Sequence, residues 1–394
     1  MIFAGLNVLE LGAGAAGPVA TRYFAEQGAR VIRVESARRP DFLRVLFLTR
    51  DSPFGLDGSP MYVLLNPNKE SVSLDLSKPE GVELVRRLVD WADVACENFA
   101  PGVMERWGLD AASLRRRKRS LIVASACLFG QTGPQRAYPG FGGQGSAIAG
   151  FNHLTGWPDR EPHGPYGTIT DSLSPRYVAV AVAAALLHRR RTGEGQTIDL
   201  SQIEAGVYSL SELVVRQSAS GEAVCRRGNR GDEAAPAGIY PCAGEDRWIA
   251  IEVRSDAEWQ ALVRAMGDPA WARDGRFADP DALDARIAQW TSAFDAHALM
   301  ARLQQAGVAA GAVQSFQDLL DDPQLAARGH WQALHHVHLG EMPFERSGFR
   351  LSESPGALRT PGPNLGEHNQ AVLGGILGLG ADAIARLVAD EVVA

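Results

Sequence analysis

The first half of the chain switches repeatedly between a two-residue and a 3.6-residue hydrophobic period, and this switching limits the fold most. Asn7 to Leu11 is a short apolar strand, and Pro18 to Gln27 has helical periodicity. Ala29 to Glu35 predicts a second strand and Ser71 to Leu74 a third. Ser77 then stands as a helix cap with Pro79 near the start of a helix running to about Trp91. Asp93 to Cys96 returns as a strand, Pro101 to Trp107 is a short helix, and Leu121 to Ala126 is a further strand. Alternation of apolar strands and helices argues a parallel sheet, because a helical crossover can carry the chain back to the same sheet end. The expected fold is therefore α/β, with helices on both faces of a parallel sheet.

At 394 residues the chain exceeds what one core usually supports, so two substructures of unequal size are expected. A helix over Pro175 to Arg190, then Gln196 to Leu200 and a helical stretch to about Ser218, continue the first. Gly221 to Pro236, rich in Gly, Arg and Ala, reads as a connection. Trp248 to Val253 and the mostly helical Ala257 to Gln305 form a smaller α+β domain. A β-rich stretch follows from Trp331 to Arg350, and an amphipathic helix closes the chain from about Ala381. The boundaries are 1–220 for the large domain, 221–325 for the small one, and 326–394 for a segment returning to the large one.

A formal charge of −7 argues against nucleic acid as the main partner. Cys96, Cys127, Cys225 and Cys242 contain no CxxC pair, which suits a reduced compartment and supplies neither metal site nor disulfide framework. The longest apolar run, Val178 to Leu187, is too short to cross a bilayer, and no signal peptide precedes the first strand. A cytoplasmic protein with no membrane partner is expected. His335-His-Val-His338 lies in a strand-like segment without a carboxylate cluster, so packing is expected there and no metal. The basic run Arg115 to Arg119 is expected to end a helix on a solvated face.

Two features carry chemistry. Gly12-Ala-Gly-Ala-Ala-Gly17 is a GxGxxG between a strand and a helix, and Glu35 stands where a dinucleotide fold places its ribose-binding acid. Pro18 directly after the third glycine is unusual for that fingerprint. The second feature is Asp171, on a Gly/Pro-rich stretch ahead of an Ala/Val/Leu run. A carboxylate there either caps the helix or acts as a nucleophile that forms a mixed anhydride with an acyl group. Hydride transfer has no use for it.

Asn66-Pro-Asn-Lys-Glu-Ser-Val-Ser-Leu-Asp-Leu76, Asp93-Val-Ala-Cys-Glu-Asn-Phe-Ala-Pro-Gly102, Asp171 and Arg191-Thr-Gly-Glu-Gly-Gln196 together resemble the class III CoA-transferases, the formyl-CoA, carnitine and bile-acid CoA-transferase family. Ala310 to Val313, Asp321 to Gly329 and Pro363 to His368 match its later blocks in order. The resemblance implies a Rossmann-like large domain built from both chain ends, a smaller domain between them, and an interlocked homodimer. It implies acyl-CoA and a small carboxylic acid as substrates, with no permanently bound cofactor. Carried over residue by residue, it makes Asp171 the nucleophile and places Ala15, Arg38, Leu74, Asn98, Arg106 and Gln144 at CoA or substrate.

Two departures qualify the match. Glu35 is followed by Ser36 where the family often has arginine, leaving Arg38 or Arg39 to supply the cation, and Gly228-Asn-Arg-Gly231 replaces a run of glycines. An acyl-CoA racemase on the same fold would need an acid/base pair, and Phe141-Gly-Gly-Gln144 offers no histidine where one is expected. An isomerase transferring CoA within one molecule, or a silent subunit of a heteromeric transferase, are the other readings. Phe151, His153 and Trp157 are candidates for the acyl pocket, with Arg160 or Arg176 for a second carboxylate.

Overall fold

The computed structural model describes residues 1–394 except 47, 50, 166–167, 232–233, 269–274 and 278. The chain divides into two compact units: Met1–Asn152 with Gly164–Glu222 and Ala327–Ala394, and His153–His163 with Ala223–Ala326. The stretch His153–His163, which the sequence reading left in the large domain, belongs to the second unit. With Leu154 and Trp157 as its large apolar side chains, it carries no periodicity that assigns it to either unit.

The first unit is built on six parallel strands: β1 (Asn7–Leu11), β2 (Arg30–Glu35), β3 (Lys69–Ser73), β4 (Val94–Glu97), β5 (Ile122–Cys127) and β6 (Thr197–Ser201). Their order across the sheet is β3-β2-β1-β4-β5-β6. Alternate side chains feed two cores. Val8, Val31, Val94 and Ile122 pack with Phe24 of helix Ala16–Glu26 and Val178, Val182 and Ala185 of helix Ile169–Thr192. Leu9, Leu11, Ile32 and Val34 face the opposite way, against Leu84, Val85 and Leu88 of helix Pro79–Trp91 and Val372 and Leu373 of helix Asn369–Gly375. Burial on both faces explains why these strands read as continuous apolar runs.

The C-terminal segment closes the β3 edge. Ser71 N–H donates to His368 Nδ1 at 3.2 Å, Ser73 N–H donates to Asn369 Oδ1 at 2.9 Å, and Leu74 bridges to Val393. Side chains thus occupy backbone donors that would otherwise pair with a foreign strand. An antiparallel hairpin of β10 (Trp331–His336) and β11 (Gly340–Glu345) lies in the same unit. In the second unit, β7 (Ala237–Pro241), β8 (Trp248–Glu252) and β9 (Ala309–Val313) form an antiparallel sheet. Tyr240, Ile249 and Ile251 of that sheet share a core with Trp259, Leu262, Ile287 and Leu299 of the helices after them.

Two local expectations are corrected. Ser77 does not cap its helix: its N–H and hydroxyl both bond Asp75 Oδ1, at 2.9 and 2.7 Å, and Lys78 holds the cap position. The helix expected from Pro175 begins at Ile169 and runs to Thr192. Pro175 lies inside it, past the first turn, and lacks the N–H that would have served the Asp171 carbonyl.

Candidate active site

The strand order reverses between β1 and β4, so the crevice beyond their carboxyl ends is where a ligand is expected in an open α/β sheet. The glycine loop leaves β1 there, and Asn98 follows β4. Asn98 Oδ1 accepts the Ala13 N–H at 3.0 Å, and its Nδ2 donates to the Ala13 carbonyl at 2.7 Å. A Cβ on Gly12 would sit 2.0 Å from Asn98 Oδ1, so only glycine permits this clamp.

From below, the loop is held by buried charge. Gly14 N–H donates to both oxygens of Asp41, at 3.1 and 2.9 Å, and Arg33 donates to the Gly12 carbonyl at 3.3 Å. Arg33 also pairs with Asp41 and Glu10, and Lys69 donates to Glu10 at 2.8 Å and to the Pro18 carbonyl at 2.7 Å. Burial alone would raise Glu10, but Lys69 and Arg33 outweigh it and hold the carboxyl below its usual range.

Asp171 closes one side of a cavity of about 280 Å³, also lined by Ala13, Ala15, Asn98, Arg136, Phe141 and Gln202. It is the third residue of helix Ile169–Thr192 and does not cap it; Thr168 has the cap position. Its carboxylate lies against the Gly142 backbone and shares the cavity with Gln202, whose side chain and the Gly142 N–H act on it as neutral donors. Burial raises its pKa above the usual value, and these two neutral donors offset the shift only in part. A Cβ on residue 142 would fall 2.2 Å from Asp171 Oδ2, so the glycine is what lets backbone and carboxylate meet. Phe42 and Phe141 meet edge to face, ring centroids 5.8 Å apart, and both line this cavity.

Of the residues expected at the site, Asp171, Ala15 and Asn98 share this cavity. Gln144 does not: its Oε1 accepts the Phe141 N–H at 2.7 Å and so caps the helix Gly142–Ile148. Arg106 is exposed on the short helix Val103–Arg106 and is not among the lining residues. Arg38 borders a separate cavity of about 630 Å³ with Ser36, Ser73 and Asp75, and reaches Asp75 at 3.5 Å. Leu74 is 1% exposed and belongs to the core, leaving no free face for a ligand. Arg176 turns back to the Ser172 carbonyl. His153, Trp157 and Arg160 lie in the second unit, where Arg160 stacks 5.6 Å from the Trp157 ring and the Gly228 N–H donates to the Gly156 carbonyl at 2.8 Å.

The remaining motifs resolve structurally. Glu35 cannot take a ribose: it is buried and accepts from Arg44 at 2.8 and 2.9 Å, Tyr62 at 2.6 Å and Ser71 at 2.7 Å. His336 is buried, and its Nδ1 accepts the N–H groups of His338 and Leu339 at the hairpin turn, while His338 stacks on Phe54. No cluster of metal-ligand type occurs among the described residues. The basic run ends its helix at Arg117, with Arg117 paired to Asp90 and Arg119 to Glu194. Gln202, Gly142 and Arg136 escaped the sequence reading, since nothing local marks a residue that meets Asp171 only through tertiary packing. No described helix is long and apolar enough to cross a membrane.

Comparison with known proteins bears on this arrangement. The model of CoA-transferase family III matches residues 3–369. The succinyl-CoA–D-citramalate CoA-transferase of Chloroflexus aurantiacus is 36% identical over 98% of this chain and 97% of its own length. The succinate–glutarate CoA-transferase of Agrobacterium fabrum is 33% identical over 94% of each. A CaiB/BaiF family protein from Brucella suis superposes with a TM-score of 0.86 at 32% identity, covering 95% of this chain and 99% of that one. A match of this extent, on a fold whose glycine loop and aspartate converge on one cavity, makes the chain a member of CoA-transferase family III and a CoA-transferase.

Proposed function

We propose that Asp171 carries the transfer covalently. Its carboxylate attacks the acyl-CoA carbonyl, forming an aspartyl mixed anhydride and expelling CoA thiolate. The thiolate attacks the aspartyl carbonyl, giving an aspartyl-CoA thioester and releasing the donor acid. The acceptor carboxylate attacks the thioester in turn, and the thiolate returns to the new acyl group. Each step exchanges one activated acyl bond for another, so the thioester energy is kept. The observation that carries this reading is the setting of Asp171: a half-buried carboxylate on a cavity wall, beside neutral donors and raised in basicity by desolvation. No histidine lines that cavity among the described residues, and a racemase would need such a base.

Short dicarboxylic acids and their CoA thioesters are the proposed substrates. The relatives' names pair succinyl-CoA with D-citramalate and succinate with glutarate. Arg136 is the cation among the cavity's lining residues and is available to an anionic group of the bound substrates. A homodimer is proposed as well. Helix Ile169–Thr192 exposes Val180 and Leu187, and the following helices expose Tyr208, Val214 and Val215, an apolar surface that a second copy would cover.

Intact-mass measurement after incubation with succinyl-CoA tests the chemistry. A CoA or acyl adduct mapping to Asp171, absent in Asp171→Ala, is the expected result. No adduct, with deuterium uptake at the thioester α-carbon in heavy water, would replace the reading with proton abstraction.

A further inference from the structure

We infer that the Gly142 N–H and the Gln202 side-chain amide form the oxyanion hole of the aspartyl carbonyl, with Thr170 as the positioning residue that fixes Gln202. The inference rests on Asp171 as the nucleophile. The Gly142 backbone lies against the Asp171 carboxylate, where a Cβ on residue 142 would fall 2.2 Å from Oδ2, and Gln202 lines the same cavity. Gln202 is 6% exposed, and the Thr170 hydroxyl lies 3.4 Å from its Oε1. With Oε1 taken, Nε2 is the atom left to donate to Asp171. The Thr170 hydroxyl is also 3.1 Å from the Gly142 carbonyl, so its one proton is shared between two acceptors and the side chain sits between both residues.

The chemistry needs donors at this atom. When the CoA sulfur bonds to Cγ of the mixed anhydride, the carbonyl π pair moves onto the Asp171 oxygen. The tetrahedral centre then collapses and expels the donor acid with the bridging oxygen. When the acceptor carboxylate bonds to Cγ of the aspartyl thioester, the same oxygen takes the charge again, and collapse expels the thiolate. No proton moves in either step. In the resting carboxylate the charge is shared by two oxygens; in the thioester the carbonyl is neutral; in each tetrahedral intermediate a full charge rests on one oxygen. Neutral fixed dipoles therefore bind the intermediate more strongly than either neighbour. The attack of Asp171 on the donor thioester is different, since its oxyanion forms on the donor's own oxygen.

That asymmetry defines the test, using succinyl-CoA with glutarate as acceptor. Gln202→Ala should lower kcat about 10²- to 10³-fold. Its adduct should shift from CoA mass toward succinyl mass on Asp171, because anhydride formation is spared and thiolate attack is not. Thr170→Val should show the same shift with a loss of about threefold to tenfold, and it serves if Gln202→Ala does not fold. Turnover of Gln202→Ala within twofold of wild type, or equal loss of both adducts in a folded variant, overturns the oxyanion hole while leaving Asp171 as nucleophile. If wild type itself carries no adduct at Asp171, the underlying mechanism falls, and the hole with it.

Discussion

Asp171 is half-buried on the cavity wall and the carboxylates beneath the glycine loop are fully buried, and the two are treated in opposite ways. Glu10 and Glu35 each face cations, and despite burial both are held below the usual carboxylate range by Lys69 and Arg33, and by Arg44 and Arg33. Asp41 takes Arg33 and the Gly14 N–H. These groups have no reactivity left to offer; they fix the backbone that forms one wall of the cavity. Among the described residues Asp171 is offered an amide and a backbone N–H and no cation, and desolvation raises it. A cation there would stabilise the carboxylate and blunt it as a nucleophile. Neutral donors hold its direction while leaving its electrons available.

The largest effect should come from breaking the cationic side. Arg33→Met leaves Glu10 and Asp41 without their shared partner, and removing one member of a buried ion network typically costs about 3–5 kcal/mol. Thermal unfolding should report this as a fall in Tm of roughly 10 °C. Gly142→Ala should act the other way round. The new Cβ meets only the end of the Asp171 side chain, which can rotate aside, so Tm should move little. The carboxylate would be misaimed, and a shift of about 1 Å in a reacting group can cost about 100-fold in kcat. A Gly142→Ala enzyme of normal activity, or an Arg33→Met enzyme of normal stability, would break the division between the two regions.

The parallel sheet was legible because apolar strands and amphipathic helices alternate with distinct periods, as Asn7 to Leu11 and Pro79 to Trp91 show. Asp171, which the structure puts on the cavity wall, stands out in the sequence through its place in an ordered series of motifs. The oxyanion donors were not: Gln202 lies 31 positions after Asp171 and Gly142 lies 29 before it. The charge network hid for a related reason. Arg33 and Lys69 sit on strands where alternation alone assigns them a face, and only β2 and β3 pairing beside β1 shows that the face is closed. Gln144 misled because the residue type suits a ligand contact, whereas its position three residues into a helix suits a cap.

Glu97 sharpens the comparison, because it too lacks a cation. Burial pushes it up to about 7, with Ser125 and the Phe99 N–H as its donors. A carboxyl raised in the folded state contributes stability below its unfolded pKa and loses it as pH rises through the folded value, here from about 4.5 to about 7. Glu97→Gln should therefore raise Tm at pH 8 and leave it unchanged at pH 4, as a melting series across that range would show.

Asp171→Asn should give a small change in stability with the clearest sign. The folded pKa lies above the unfolded one, so at neutral pH the native state carries the cost of a charge it would rather shed. Asparagine keeps an acceptor for Gly142 and can pair with Gln202, so the variant should gain about 0.5–2 kcal/mol near pH 7. The gain should vanish at pH 3, where aspartic acid is protonated in both states. The acid limb of the wild-type kcat profile should lie above the ordinary aspartate range, since attack requires the ionised form. Stability given up at the proposed nucleophile is what separates Asp171 from Glu10 and Glu35, and an Asp171→Asn enzyme less stable than wild type at pH 7 would remove that distinction.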